Sequence, residues 1–207
     1  MADEPKRRGR PPAYDTAAAL TGARDVFWDA GYAASSLDDL SAAMAMNRPS
    51  VYGAFGDKEA LYLKTLERYR EDSLVALHEA LDPARPLREG LKAVYAKSIE
   101  IYLAGSNTAR GCFLIGTATA EAVTHEAVRD VLRNSLQAFD GVIADRLKLA
   151  VERSELGPHA DPAALAVIAS AIMHSLAVRA RAGESRQELE ALARSGIALI
   201  CSDPTAG

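Results

Sequence analysis

Apolar residues along the chain recur at spacings of three and four, and Val, Ile and Thr rarely line up in alternating runs. That pattern predicts helices rather than strands. From an N-cap at Asp15, Leu20, Ala23, Phe27 and Ala30 keep the helical period and stop at Gly31. Ser36-Leu37-Asp38-Asp39 resembles a capping box with Asp in place of Glu or Gln, opening a short helix to about Met44. Asn47 caps a second short helix, with Pro49 tolerated in its first turn. Asp57 caps a long one running to about Leu81.

The rest reads as longer helices. They cover Pro86 to about Ala104, Ala109 to about Val123, and about His125 to Glu155, where Val128, Val131, Leu132, Leu136, Phe139, Val142, Ile143 and Leu147 keep the period. Asp161 caps the next, through about Ala182, and Ser185 caps the last, which carries Leu189, Leu192, Ile197 and Ile200. The expected fold is all-α with about nine helices: an N-terminal tri-helical head and a C-terminal helical bundle.

Composition adjusts this picture only slightly. The 207 residues are 49% hydrophobic and 25% charged, an ordinary balance for a globular protein. Net charge is −4, and residues 1–58 hold seven basic side chains against eight acidic ones. Bulk charge therefore gives no support for a polyanionic partner; any DNA contact must rest on a few placed cations. Two cysteines, Cys112 and Cys201, lack metal-ligand spacing and are too few for a disulfide scaffold. Met1 to Arg10 has no apolar core, so no signal peptide is predicted. The uncharged run Pro162 to Val178 contains Ser170, His174 and Ser175 and is better read as a buried helix than a membrane span. The expected location is cytoplasmic, without a membrane partner.

The segments about 15–31, 37–44 and 48–54 have the lengths of a helix-turn-helix: a supporting helix, then two short ones about three residues apart. A short third helix suits a major groove about 12 Å wide. Spacing alone leaves DNA binding open, because bundles that never touch DNA also contain such helices. The residues say more. Phe27-Trp28-Asp29-Ala30-Gly31-Tyr32, Ser35-Ser36-Leu37-Asp38-Asp39-Leu40 and Asn47-Arg48-Pro49-Ser50-Val51-Tyr52-Gly53-Ala54-Phe55-Gly56-Asp57-Lys58 follow in order over about 45 residues. Together they resemble the DNA-binding signature of TetR-family transcriptional regulators.

The resemblance implies a homodimeric repressor on a palindromic operator of double-stranded DNA, released by a small-molecule inducer. Ser36 would cap the second helix and donate to a phosphate. Arg48 and Ser50 would open the recognition helix, with Arg48 forking onto a guanine or clamping a phosphate. Tyr52 would offer its hydroxyl to the DNA backbone, and Lys58 would meet a phosphate at a helix N-terminus. Arg8-Gly9-Arg10-Pro11 resembles an AT-hook core, so Arg8 and Arg10 are minor-groove candidates. One departure is Ala45, which stands in the turn where the family often has Gly; a positive φ there would cost on the order of 1 kcal/mol.

The division expected is 1–12 as a basic arm, 13–58 as the DNA-binding domain and 59–207 as the ligand-binding and dimerisation domain. Tyr95, Ile99, Tyr102, Cys112, Phe113, Phe139 and Met173 are the candidate lining of the inducer pocket. Cys112 follows Arg110-Gly111 near a predicted helix start, a setting that lowers a thiol's pKa, although free Cys is also a common core residue. Helices about 162–182 and 186–201 are expected to pair with their symmetry mates. The sequence carries no phosphate loop, no Gly-x-Ser-x-Gly and no His-x-x-x-His, so neither an enzyme, a cofactor nor a metal is expected. A helical module that has lost DNA binding is the alternative.

Overall fold

The computed structural model describes residues 15–105 and 108–202. The regular structure among them is entirely helical: α1 (Thr16–Ala30), α2 (Leu37–Ala43), α3 (Arg48–Phe55), α4 (Lys58–Ala80), α5 (Leu87–Leu103), a π-helical turn (Leu114–Ala118) running into α6 (Thr119–Glu121), α7 (Glu126–Glu152), α8 (Pro162–Arg181) and α9 (Arg186–Ile200). Side-chain caps set where most of these start. Asp15, Ser36, Asn47, Asp57, Asp161 and Ser185 each accept from backbone N–H groups of the first turn. Ser36 with Asp39 and Ser185 with Glu188 complete reciprocal capping boxes.

In the head, Ala23, Phe27, Leu40 and Val51 are buried together between α1, α2 and α3. α1 crosses α2 closely at Gly22, where a Cβ would lie 2.3 Å from the Ala43 carbonyl oxygen. The turn between α2 and α3 closes with the Met46 N–H bonded to the Ser41 carbonyl at 2.9 Å, and Ala45 takes φ 50°. An alanine thus occupies the left-handed cap position usually given to Gly.

α4 leads from the head into the body, packing on α1 at one end and on α7 further along. α8 sits centrally, against α5, α7 and α9. It is long and apolar enough to span a membrane, yet its inner face, with Ala169, Ala177 and Leu176, is core. Its outer face leaves Val167, Ile168 and Val178 exposed, and α9 exposes Leu199.

One predicted element needs correcting. The helix expected from Ala109 does not begin there: the chain is irregular through Cys112, then enters the π turn. The backbone of this stretch is committed elsewhere. The Arg110 carbonyl accepts from the Trp28 indole and from Arg181, and the Gly111 N–H donates to the Tyr102 carbonyl.

Candidate nucleic-acid interface and inner cavity

Four of the predicted DNA-contacting residues, Ser36, Arg48, Ser50 and Tyr52, share the exposed surface of α2 and α3. Ser36 caps α2, as described. Asn47 accepts the Ser50 N–H at 2.9 Å, which opens α3 with Arg48 in its first turn. Tyr52 is 48% exposed, whereas Phe55, three residues on, is buried. That split orients α3: its apolar side faces the head core, and its aromatic hydroxyl faces out. Lys58 begins α4, half-buried, with its ammonium 4.6 Å above the Tyr32 ring. The cation–π contact fixes where that charge stands. Arg8 and Arg10 lie outside the described residues.

Arg48 has a partner that sequence spacing did not indicate. Its Nε donates to Asp38 Oδ1 at 2.7 Å and one Nη to Oδ2 at 2.5 Å, a bidentate bridge from α3 back to the first turn of α2. The hydrogen bond from Arg48 holds the Asp38 carboxyl below its ordinary pKa. Two donors of the guanidinium are therefore committed in the DNA-free protein. The fork that would suit a guanine is occupied by a carboxylate of similar geometry.

Inside the body, a mostly apolar cavity of about 60 Å³ lies between α4, α5, the π turn, α7 and α8. Of the seven predicted lining residues, Tyr102, Cys112, Phe139 and Met173 reach it. Tyr95, Ile99 and Phe113 do not line it. The Tyr95 hydroxyl donates to the Ala169 carbonyl at 3.1 Å, tying α5 to α8, and Ile99 is buried core. Phe113 packs instead between Trp28, Tyr62 and Tyr69, an aromatic seam joining α1 and α4 to the π turn. The sequence nominated all seven as candidates; which side of the core each faces depends on neighbouring helices. The lining also includes Tyr69, Ser73, Ser98 and His174, which periodicity did not single out.

Cys112 is 5% exposed, and burial pushes its thiol pKa up, not down. The neighbouring cation does not help, because the Arg110 side chain turns outward to the head. Its Nε lies 2.8 Å from Asp29 Oδ1 and its Nη1 3.3 Å from Asp25 Oδ1, with the guanidinium 5.7 Å from the Trp28 ring centroid. Residues 110–112 thus form a junction: Arg110 holds α1, Cys112 lines the cavity, and Gly111 lies against α8. At Gly111 φ is +67°, and a Cβ would stand 2.7 Å from the Ala177 carbonyl oxygen. Trp28 completes the seam, with its ring 5.3 Å from that of Tyr69. Among the described residues no cluster of His, Cys, Asp or Glu could hold a metal ion.

Comparison with known proteins adds relatives over nearly the whole chain. The family profile described as "Bacterial regulatory proteins, tetR family" matches residues 19–65, and "Tetracyclin repressor-like, C-terminal domain" matches residues 88–195. The HTH-type transcriptional repressor ComR of Escherichia coli (strain K12) is 32% identical, covering 94% of this chain and 92% of that protein. A cysteine-substituted form of the TetR family transcriptional regulator CifR, solved with 26-bp double-strand operator DNA, is 30% identical with TM-score 0.77, covering 91% of this chain and 98% of that one. Reduced NemR from E. coli, at 19% identity and TM-score 0.79, covers 92% and 98% and shares the fold.

Proposed function

Since the chain belongs to the TetR family of bacterial regulatory proteins, we propose that it is a cytoplasmic, ligand-responsive repressor that binds a palindromic operator as a homodimer. The observation that carries this reading is the exposed row Ser36, Arg48, Ser50, Tyr52 and, beside it, Lys58, set around a short α3 whose other face is core. The CifR complex with operator DNA supports the use of this architecture on duplex DNA. In this reading Tyr52 and Lys58 contact phosphates, Ser36 and Ser50 donate alongside them, Arg48 reads or clamps once free of Asp38, and Arg8 and Arg10 add minor-groove contacts. No catalytic step is assigned.

Residues 13–58 serve as reader and 59–207 as sensor and dimer module. Two readers about 34 Å apart require a twofold partner. The outer faces of α8 and α9, with Val167, Ile168, Val178 and Leu199 exposed, are suited to cover a second copy. Ligand entry acts on the cavity. At about 60 Å³ it has room for only a few waters, so a larger occupant must displace its walls. One wall is Tyr69 of α4, eleven residues from Lys58, about 16 Å along one rigid helix. Another is Cys112, two residues from the Arg110 grip on α1. A shift of either moves the reading surface, and a coupling of about 1–3 kcal/mol loosens the operator roughly 5–150-fold.

An electrophoretic shift of DNA upstream of the protein's own gene tests the reading. Substituting Tyr52→Phe and Lys58→Ala together removes two phosphate contacts from each subunit, so the shift should be lost at physiological salt and regained only at low salt. An unchanged shift, with a folded variant by circular dichroism, overturns this docking.

A further inference from the structure

We infer that the inner cavity takes a small, uncharged molecule with one hydrogen-bond-accepting oxygen, held by the hydroxyls of Tyr69 and Tyr102. The inference rests on the sensing role proposed above and names the chemistry of its ligand.

Two lining phenols, Tyr69 and Tyr102, stand beside the lining thiol Cys112. The Tyr69 hydroxyl donates to Cys112 Sγ at 3.6 Å, and the buried Tyr102 phenol stands near enough to the same thiol to interact with it. Sulfur is a weak acceptor, and it is the acceptor that the Tyr69 hydroxyl uses here. Both phenols are under a tenth exposed, so bulk water does not replace that weak bond. A carbonyl or ether oxygen with two free lone pairs is a better acceptor for the same two donors.

The remaining walls decide the charge and size. Burial raises the pKa of both phenols and of the thiol, and lowers that of His174, so each stays in its neutral form at neutral pH. Lys97 is the one permanently charged lining residue; its side chain is 55% exposed and its ammonium sits 3.0 Å from Glu100. A carboxylate or ammonium brought inside would lose its hydration without a charged partner, which is strongly unfavourable. Val94, Leu136, Phe139 and Met173 supply the apolar walls. With about 60 Å³ available the occupant is small, and the unbranched Met173 is the wall best able to give way.

Three probes of similar size separate the terms on the full-length protein: cyclopentanone, cyclopentane and cyclopropanecarboxylate, with binding followed by NMR titration. The ketone should bind saturably and on the order of tenfold more tightly than the hydrocarbon, as two neutral hydrogen bonds allow. The carboxylate should not bind. Combining Tyr69→Phe with Tyr102→Phe should erase the preference for the ketone while cyclopentane still binds. A carboxylate that binds as well as the ketone, a ketone no better than cyclopentane, or no binding by any of the three overturns the inference. Upstream DNA is shifted with the same preparations in the absence of probe. A failure of the regulator reading therefore registers separately from a failure of the ligand assignment.

Discussion

Two arginines in this protein meet aspartates on a neighbouring element, and their surroundings give them opposite characters. Arg48 meets Asp38 on the reading surface, where the two side chains are 55% and 73% exposed. Arg110 meets Asp25 and Asp29 at the seam between head and body, is 21% exposed, and lies beside the Trp28 indole. Its own carbonyl is bonded from both sides, by Trp28 and by Arg181. Water competes for the first pair, so it opens at little cost and its cation can change partners. The second is held by several contacts that must break together. In the proposed reading, exposure rather than ion-pair geometry separates the contact to be exchanged for DNA from the one that couples head and body.

The comparison breaks most sharply at Gly111. Replacement by Ala sets a Cβ 2.7 Å from the Ala177 carbonyl oxygen in a backbone with φ +67°. Left-handed strain and overpacking together should cost about 3 kcal/mol in urea unfolding. A loss well below 1 kcal/mol would mean that the junction is soft and cannot carry a signal. Arg110→Ala should cost less, about 1–2 kcal/mol, because Asp25 and Asp29 are partly exposed and can rehydrate. Its second signature is functional: operator binding persists while any response to a cavity ligand fades. A variant that responds normally would place the coupling entirely in Tyr69 and α4.

A smaller effect tests the head alone. Ala45 sits at φ 50° in the turn between α2 and α3. Ala45→Gly removes left-handed strain at the price of a more flexible unfolded chain, a net stabilisation of at most about 0.5 kcal/mol. Thermal unfolding that moves downward instead would show that the alanine methyl makes contacts outweighing the strain.

The head was far more legible than the body. Asp15, Ser36, Asn47 and Asp57 announce its helix starts because a cap is a local event, settled by a side chain and the next two or three amides. Its candidate DNA-contacting side chains stand outside, so residue type and order suffice to nominate them. The cavity is different. Tyr95, Tyr102 and Phe113 have the same inward periodicity, yet only Tyr102 borders the cavity. Tyr95 faces α8 and Phe113 faces α1, a choice made by helix packing across long sequence separations. The π turn was also invisible, since Gly111 and the bonds to the Arg110 carbonyl act from outside the local pattern. Asp38 as partner of Arg48 was missed for a related reason: ten residues separate them, and only the tight turn at Ala45 brings them together.

That missed pair supplies the finest test of the exchange idea. Asp38→Asn weakens the bidentate hold and frees the Arg48 fork for DNA, so operator affinity should rise roughly 2- to 5-fold. Removing an acidic group near phosphates would also raise affinity by simple loss of repulsion, so the single variant cannot decide. The cycle with Arg48→Ala does. If Asp38 acts by occupying Arg48, the gain disappears in the Arg48→Ala background; if it acts by repulsion, the gain survives there intact. The salt dependence gives an independent reading. An Arg48 released onto a phosphate adds about one counterion per subunit, steepening the plot of log affinity against log salt by about 0.9 for each. An Arg48 released onto a guanine leaves the slope nearly unchanged and sharpens discrimination at one base pair of each half-site. Loss of affinity in Asp38→Asn would reverse the assignment: the carboxylate would then be holding Arg48 in its contact position, and the exposed pair would belong with the seam as a fixed support.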